Sequence, residues 1–330
     1  MGAIDTEAKA YLSSPDKVAD AFNYWIYDGR YIIKPEELKP LDTTAVALPY
    51  GNDTKQPVQK IRDVLKLYTA MTDNETCYLI LGMEIQAAIN YAMPVRNMLY
   101  DAMGYAQQVS RLTAKNKASG VKLTGDEYLT GLRKNDRLMP IITLVISLNT
   151  EDWNGPMSIH EMLSVKNKAI LSYVQDYKLN LLAPARIDDA DFAKFRTELG
   201  TVMQFIKHRN DSTIEWMKNN ERFKSMDRTT ASLIKTVTGA NISFNEKGDV
   251  VNMWTAWENG INQARKDGIN QGISQGISQG ISQGKVASAL RVAEKFNLST
   301  EEAMDAVGIS KSEWDLYAPT IRQNMDKSGL

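Results

Sequence analysis

Cysteine occurs once, at Cys77, and histidine twice, at His160 and His208, in a chain of 330 residues. A lone cysteine closes no internal disulfide, and two histidines with one cysteine cannot assemble a four-ligand structural zinc site. Excess charge is equally scarce: 39 lysines and arginines against 40 aspartates and glutamates leave a formal charge of -1. No overall pull toward nucleic acid or anionic lipid follows, so any such contact is local. Long apolar runs are missing too. Cys77–Met83 and the run around Leu144–Ile146 fall far short of the roughly 20 residues that cross a bilayer, so no membrane contact is expected. Without a charged-then-apolar leader or a disulfide framework, the expected setting is a reducing cytoplasm.

What is present is ordinary globular material, 43% hydrophobic and 24% charged, enough for a core and for more than one packed unit. Ser13-Ser14-Pro15 supplies a helix start, and Val18, Ala21, Phe22, Trp25 and Ile26 follow at helical spacing up to Tyr27. Apolar, β-branched runs at Thr44–Leu48, Arg62–Thr69 and Thr76–Gln86 predict three strands, broken by Pro49-Tyr50-Gly51 and Thr72-Asp73-Asn74. Pro94 opens a helix whose Val95, Met98, Leu99, Ala102, Ala106, Val109 and Leu112 mark one apolar face. Ile141–Leu148 is a continuous apolar run between Pro140 and Asn149, the pattern of a strand buried on both faces. Helix, strands, helix and strand make an α/β unit over 1–158.

From 159 to 259 the pattern turns helical, most clearly over Asp189–Arg209 and Ile214–Phe223, and predicts a second, all-helical unit. Residues 260–285 hold a low-complexity repeat in which glycine recurs at Gly268, Gly272, Gly276, Gly280 and Gly284 with Ile-Ser-Gln between the later ones. A period of four exceeds 3.6, so on a helix each glycine falls roughly 40° beyond the last and traces a right-handed stripe. Glycine costs a helix roughly 1 kcal/mol per site, which leaves two readings, a self-associating helix or a flexible spacer. Residues 286–330 form a helical hairpin, with start signatures at Ser299…Glu302 and Ser310…Glu313 and a stop at Gly308. The acidic second element, with Glu313 and Asp315, argues against a DNA-reading helix-turn-helix.

Two carboxylates stand out. Glu84 and Gln86 end an apolar strand and, two apart, share a face; Glu84 follows seven apolar or glycine residues and so needs a cation. A strand-turn-strand connection would bring Asp63 beside it, and carboxylate oxygens at a strand end suit magnesium. The competing reading has Asp63 paired with Arg62 or Lys66 and Glu84 with a lysine across the sheet. Other signals fail on inspection. Gly280–Lys285 has three residues between its glycines and no following serine or threonine, so it is no phosphate loop, and Ser158 and His160 lack a nucleophile-elbow pattern.

Asp63, Gly82-Met83-Glu84-Ile85-Gln86 and the stretch Tyr91-Ala-Met-Pro-Val-Arg96-Asn-Met-Leu-Tyr100-Asp101 resemble the Rpn family of recombination-promoting nucleases, also called YhgA-like putative transposases, within the PD-(D/E)XK superfamily. The likeness extends to Asp20–Asn23, Leu138–Leu148, Glu151–Pro156, Glu221–Lys224 and the glycine-repeat tail. It implies a DNA endonuclease with a three-layer α/β/α restriction-endonuclease-like core. Magnesium, or manganese in its place, would be held by Asp63, Glu84 and the main-chain carbonyl of Ile85, with Asp20 as an additional acid. Gln86 departs from the superfamily, which usually has lysine there: an amide can orient water through hydrogen bonds but cannot neutralise charge. Residue 86 thus reads as a variant or a decayed position.

DNA affinity rests on local positive charge. Residues 87–140 carry eight lysines and arginines against four acids, and Arg96, Arg111, Lys115, Lys117 and Lys122 are the candidate backbone contacts. Tyr91, Tyr100 and Tyr105 can stack on bases or pack at the edge of the core. The expected function is metal-dependent DNA cleavage linked to recombination, mobile elements or phage defence, in a homo-oligomer joined through the repeat. The rivals are a catalytically silent interaction protein and a strand-transferring transposase.

Overall fold

The computed structural model describes residues 3–41, 44–47, 58–61, 63–72, 75–120, 122–209, 215–244 and 248–328. They fall into two compact units, Met1–Trp257 and Glu258–Leu330. The first is mixed α/β. Along the chain it runs α1 (Ala3–Leu12), α2 (Pro15–Tyr27), β1 (Leu38–Pro40), β2 (Thr44–Ala47), β3 (Val58–Ile61), β4 (Val64–Thr72), β5 (Glu75–Gln86), α3 (Met93–Ala118), α4 (Gly125–Thr130) and β6 (Ile141–Ser147). Then follow α5 (Ile159–Met162), α6 (Lys168–Leu171), β7 (Asn180–Leu182), α7 (Leu199–His208), α8 (Glu215–Lys218), β8 (Met226–Asp227), α9 (Arg228–Thr238), β9 (Val250–Val251) and the start of α10 (Met253–Phe296).

Five strands form one sheet in the order β1-β4-β5-β6-β7. β4 pairs antiparallel with β1 and β5, whereas β5, β6 and β7 are parallel. A parallel pair needs a crossover, and α3 is the one between β5 and β6. Alternation along the strands separates two faces. Leu81, Met83, Ile85, Leu144 and Ile146 pack with Ala8 and Leu12 of α1, Val18 and Phe22 of α2, and Val202 and Phe205 of α7. On the opposite face Val145 and Leu181 pack with Met93, the first residue of α3. β6 is the doubly buried strand that its apolar run predicts, with Thr143–Ser147 all buried.

α3 spans the expected segment but not on the expected face. Val95, Met98 and Leu99 are 42%, 40% and 38% exposed, while Asn97, Tyr100, Asp101, Gln108 and Asn116 are buried. Hydrogen bonds turn the helix. Asp101 accepts from the hydroxyls of Thr143 on β6 (2.7 Å) and Tyr177 (2.6 Å), Gln108 clasps the backbone of Met139, and Asn116 donates to the carbonyl of Gly131 and to Asp136. Each pairing offsets the cost of burying a polar group, so Asp101, Gln108 and Asn116 join Met93 and Met103 on the inner side, and the N-terminal part of the apolar row is exposed.

The segment 159–259 does not stand apart as a helical unit. It contributes β7 to the sheet, and Phe192, Phe223, Leu233 and Ala256 share one core with Val18, Leu81 and Leu144. β7 has three residues, too few to show a period of two. The continuous helix expected over Asp189–Arg209 is split into a 3-10 segment, Asp189–Lys194, and α7. Asp20 causes the break: its carboxylate accepts the backbone N–H groups of Arg196 (2.9 Å) and Thr197 (2.8 Å), which are then lost to helical bonding.

α10 is 44 residues long, and its residues from Glu258 on, with α11 (Thr300–Ala306) and α12 (Trp314–Ser328), belong to the second unit. Both serine–glutamate capping boxes form, and Gly308 takes a left-handed φ of 75° between the helices. Ala289 and Ala293 of α10 pack with Ala303, Met304, Ile309, Tyr317 and Ile321. The repeat is helical throughout, with Ile269, Ile273, Ile277 and Ile281 each more than half exposed. No described helix is long and apolar enough to cross a membrane.

Candidate functional site

The antiparallel register of β4 and β5 pairs Val64 with Met83. Carried one step outward, it sets Asp63, just before β4, opposite Glu84. Residues directly opposite on an antiparallel pair present their side chains to one face. A further bond fixes the approach: the backbone N–H of Ile85 donates to Asp63 Oδ2 at 2.9 Å. The parallel register pairs Glu84 with Val145, so Glu84 lies on the α3 side of the sheet, near the C-terminal ends of β5 and β6, where α/β sheets commonly bind ligands.

Among the described residues two cations reach these carboxylates. Glu84 has no exposed surface, and Arg96 Nη2 from the first turns of α3 lies 3.1 Å from its Oε2. Arg96 Nε donates to the Tyr100 hydroxyl at 3.1 Å, one helical turn on, which holds the guanidinium in place. Partial burial works to lower the Arg96 pKa, but Glu84 first, then Tyr100 and Asp63, outweigh it and raise the value. Burial and the Glu84 charge likewise raise the Tyr100 phenol, so it stays protonated at neutral pH. The second cation is Lys9 of α1, whose ammonium lies 3.9 Å from Asp63 Oδ1. Asp63 keeps 15% of its side chain exposed, which makes it the more accessible of the two acids.

The sequence-derived residues therefore divide. Asp63, Glu84, Ile85 and Gln86 come together at one strand end, and the Gln86 amide donates to the Ile85 carbonyl at 2.9 Å. Asp20 is engaged elsewhere, on the loop at Arg196 and Thr197, with the Thr197 hydroxyl adding a third bond at 2.6 Å. Arg96 is an ion-pair partner of Glu84 rather than a free cation. Arg111, Lys115, Lys117 and Lys122 are exposed, but Arg111 lies roughly 22 Å along α3 from Arg96 at 1.5 Å per residue. Lys115 and Lys117 lie further along α3 still, away from the carboxylate pair. Of the tyrosines, Tyr105 accepts the Ile141 N–H, Tyr100 holds Arg96, and Tyr91 is 60% exposed and donates to Asn154. No local signal in the sequence links Lys9 to Asp63, 54 positions on.

Of the expected partners of the acids, Arg62 lies outside the described residues. Asp63 has Lys9 beside it, and Glu84 pairs with an arginine from α3 rather than a lysine across the sheet. Among the described residues no group of three or more histidine, cysteine, aspartate or glutamate side chains is set to hold a metal. Two carboxylates and a main-chain carbonyl are nonetheless an all-oxygen donor set, and magnesium commonly takes only one or two carboxylates beside water and substrate oxygens. Ser158 and His160 form no hydrolytic pair: Ser158 caps α5, and His160 Nε2 bonds the Val174 carbonyl at 2.7 Å. No family model, curated protein or solved structure matches the chain.

Proposed function

We propose that the protein is a divalent-metal-dependent DNA endonuclease of the Rpn type, with a restriction-endonuclease-like α/β/α catalytic core. The observation that supports this best is the pairing of Asp63 with Glu84 at one strand end, fixed by the Ile85 N–H. Their oxygens and the Ile85 carbonyl would hold magnesium, or manganese in its place. When bound, the ion lowers the pKa of a water and polarises the scissile phosphate. Gln86 orients water through its amide, and Asp63, the more exposed acid, faces the incoming substrate. Arg96, 3.1 Å from Glu84, holds that side chain in place. Cleavage is hydrolytic, in the cytoplasm, in a homo-oligomer joined through the glycine repeat of α10, and serves recombination or defence.

One observation favours a second reading, a catalytically silent interaction protein. Glu84 and Asp63 already have Arg96 and Lys9 as counter-charges, which is how a purely structural pair is held. Incubation of the purified protein with plasmid DNA and magnesium separates the two, beside an EDTA control and an Asp63→Ala variant. Nicking or linearisation that disappears in both controls supports the nuclease. No cleavage with magnesium or manganese supports the silent protein.

A further inference from the structure

Negative charge develops on the phosphate as water attacks, and a nearby cation stabilises it, a task the uncharged Gln86 amide performs less well. Among the described residues two cations stand at the strand end, and their settings differ. Arg96 lies 3.1 Å from Glu84 and is also bonded to Tyr100, so it is fixed from both sides. Lys9 approaches Asp63 only to 3.9 Å, beyond hydrogen-bond length, and keeps 32% of its side chain exposed. Its flexible stem rises from α1, and Ala8 and Leu12 of that helix are sealed into the core. The backbone that carries Lys9 is therefore anchored while the ammonium is left adjustable.

We propose that Lys9 is the cation that Gln86 lacks, drawn toward Asp63 in the resting protein and moving onto the scissile phosphate when DNA is bound. The assignment rests on the nuclease reading above. In the step it serves, a water oxygen bonds to phosphorus and its proton passes to solvent. One phosphorus–oxygen ester bond breaks, and the departing sugar oxygen keeps the electron pair and takes a proton from water. Lys9 stays charged throughout and acts only by its field and its N–H donors. Its place beside Asp63 also predicts opposition to a metal ion at that carboxylate in the absence of DNA.

The test uses the full chain as wild type, Lys9→Ala and Lys9→Arg, with three readouts: plasmid cleavage in magnesium, manganese affinity without DNA, and melting temperature. Lys9→Ala is expected to cleave about 100-fold more slowly, the scale for losing one charge-stabilising donor. Its manganese affinity is expected to hold or tighten and its melting temperature to stay near wild type, with Lys9→Arg recovering part of the rate. Lys9→Ala cleaving within about threefold of wild type overturns the assignment and leaves the nuclease standing. Loss of manganese binding or of the fold in both variants also overturns it, since that is a structural role. Wild-type protein that neither binds manganese nor cleaves overturns the nuclease reading, and Lys9 falls with it.

Discussion

The Arg96 guanidinium lies 3.1 Å from Glu84, a carboxylate with no exposed surface, so one face of α3 neutralises the most deeply buried acid of the sheet. Removing one partner of a fully buried pair costs roughly 3–5 kcal/mol, and the 37% exposure of Arg96 reduces that. Arg96→Ala is therefore expected to lose about 2–3 kcal/mol in urea denaturation. Arg96→Met with Glu84→Gln should recover most of the loss. A double variant no more stable than Arg96→Ala would show that packing, not charge, sets the cost.

A divalent ion that binds only the folded protein must stabilise it. Manganese at a hundred times its Kd is expected to add about 2.7 kcal/mol to the unfolding free energy, and Asp63→Ala should abolish the gain. Equal stabilisation of the two proteins in a thermal melt would place the ion elsewhere.

Asp227 caps α9 by accepting the Thr229 N–H at 2.7 Å. The Thr229 hydroxyl, the largest influence, outweighs the opposing effect of burial and, with the N–H groups of Thr229 and Thr230, holds its carboxyl below the usual range. A depressed folded value means the cap contributes fully above the unfolded pKa, about 4, and is lost as pH falls through the folded value. Asp227→Ala should cost about 1 kcal/mol at pH 7, with the difference from wild type shrinking in acid. Asp227→Asn should keep most of the cap and flatten the pH dependence; an unchanged pH profile would remove Asp227 from the account.

At Gly272, Gly276 and Gly280 an added Cβ meets no atom within 4 Å. Alanine at all three should raise the stability of the second unit by about 2–3 kcal/mol, since glycine costs roughly 1 kcal/mol per helical site. In a homo-oligomer packed along this row, the same methyl groups push the helices apart. We expect more helix by circular dichroism and a lower mass by light scattering. A stabilised variant of unchanged mass would leave the repeat as a spacer.

How much of this was legible depended on whether the signal was local. The strands β4, β5 and β6, the proline-led start of α3 and both capping boxes lie in short windows of sequence, and each forms at its expected place to within a few residues. The facing of Asp63 and Glu84 was also readable, because consecutive antiparallel strands have few registers. The buried face of α3 was not, since Asp101 looks solvent-facing until the hydroxyls of Thr143 and Tyr177, far along the chain, are known to meet it. Asp20 misled for the same reason: its partners are the backbone of Arg196 and Thr197, and no spacing rule links them. Lys9 reaches Asp63 from a separate helix, a relation set by tertiary packing alone.

The direct succession of β4, β5 and α3 bears on the order in which the site is assembled. Chains are synthesised from the N-terminus, and contacts between neighbouring elements close faster than distant ones. Asp63, Glu84 and Arg96 have all left the ribosome before β6 and β7 are made. Glu84 and the arginine that neutralises it are thus available to each other before the strands that bury Glu84 are made.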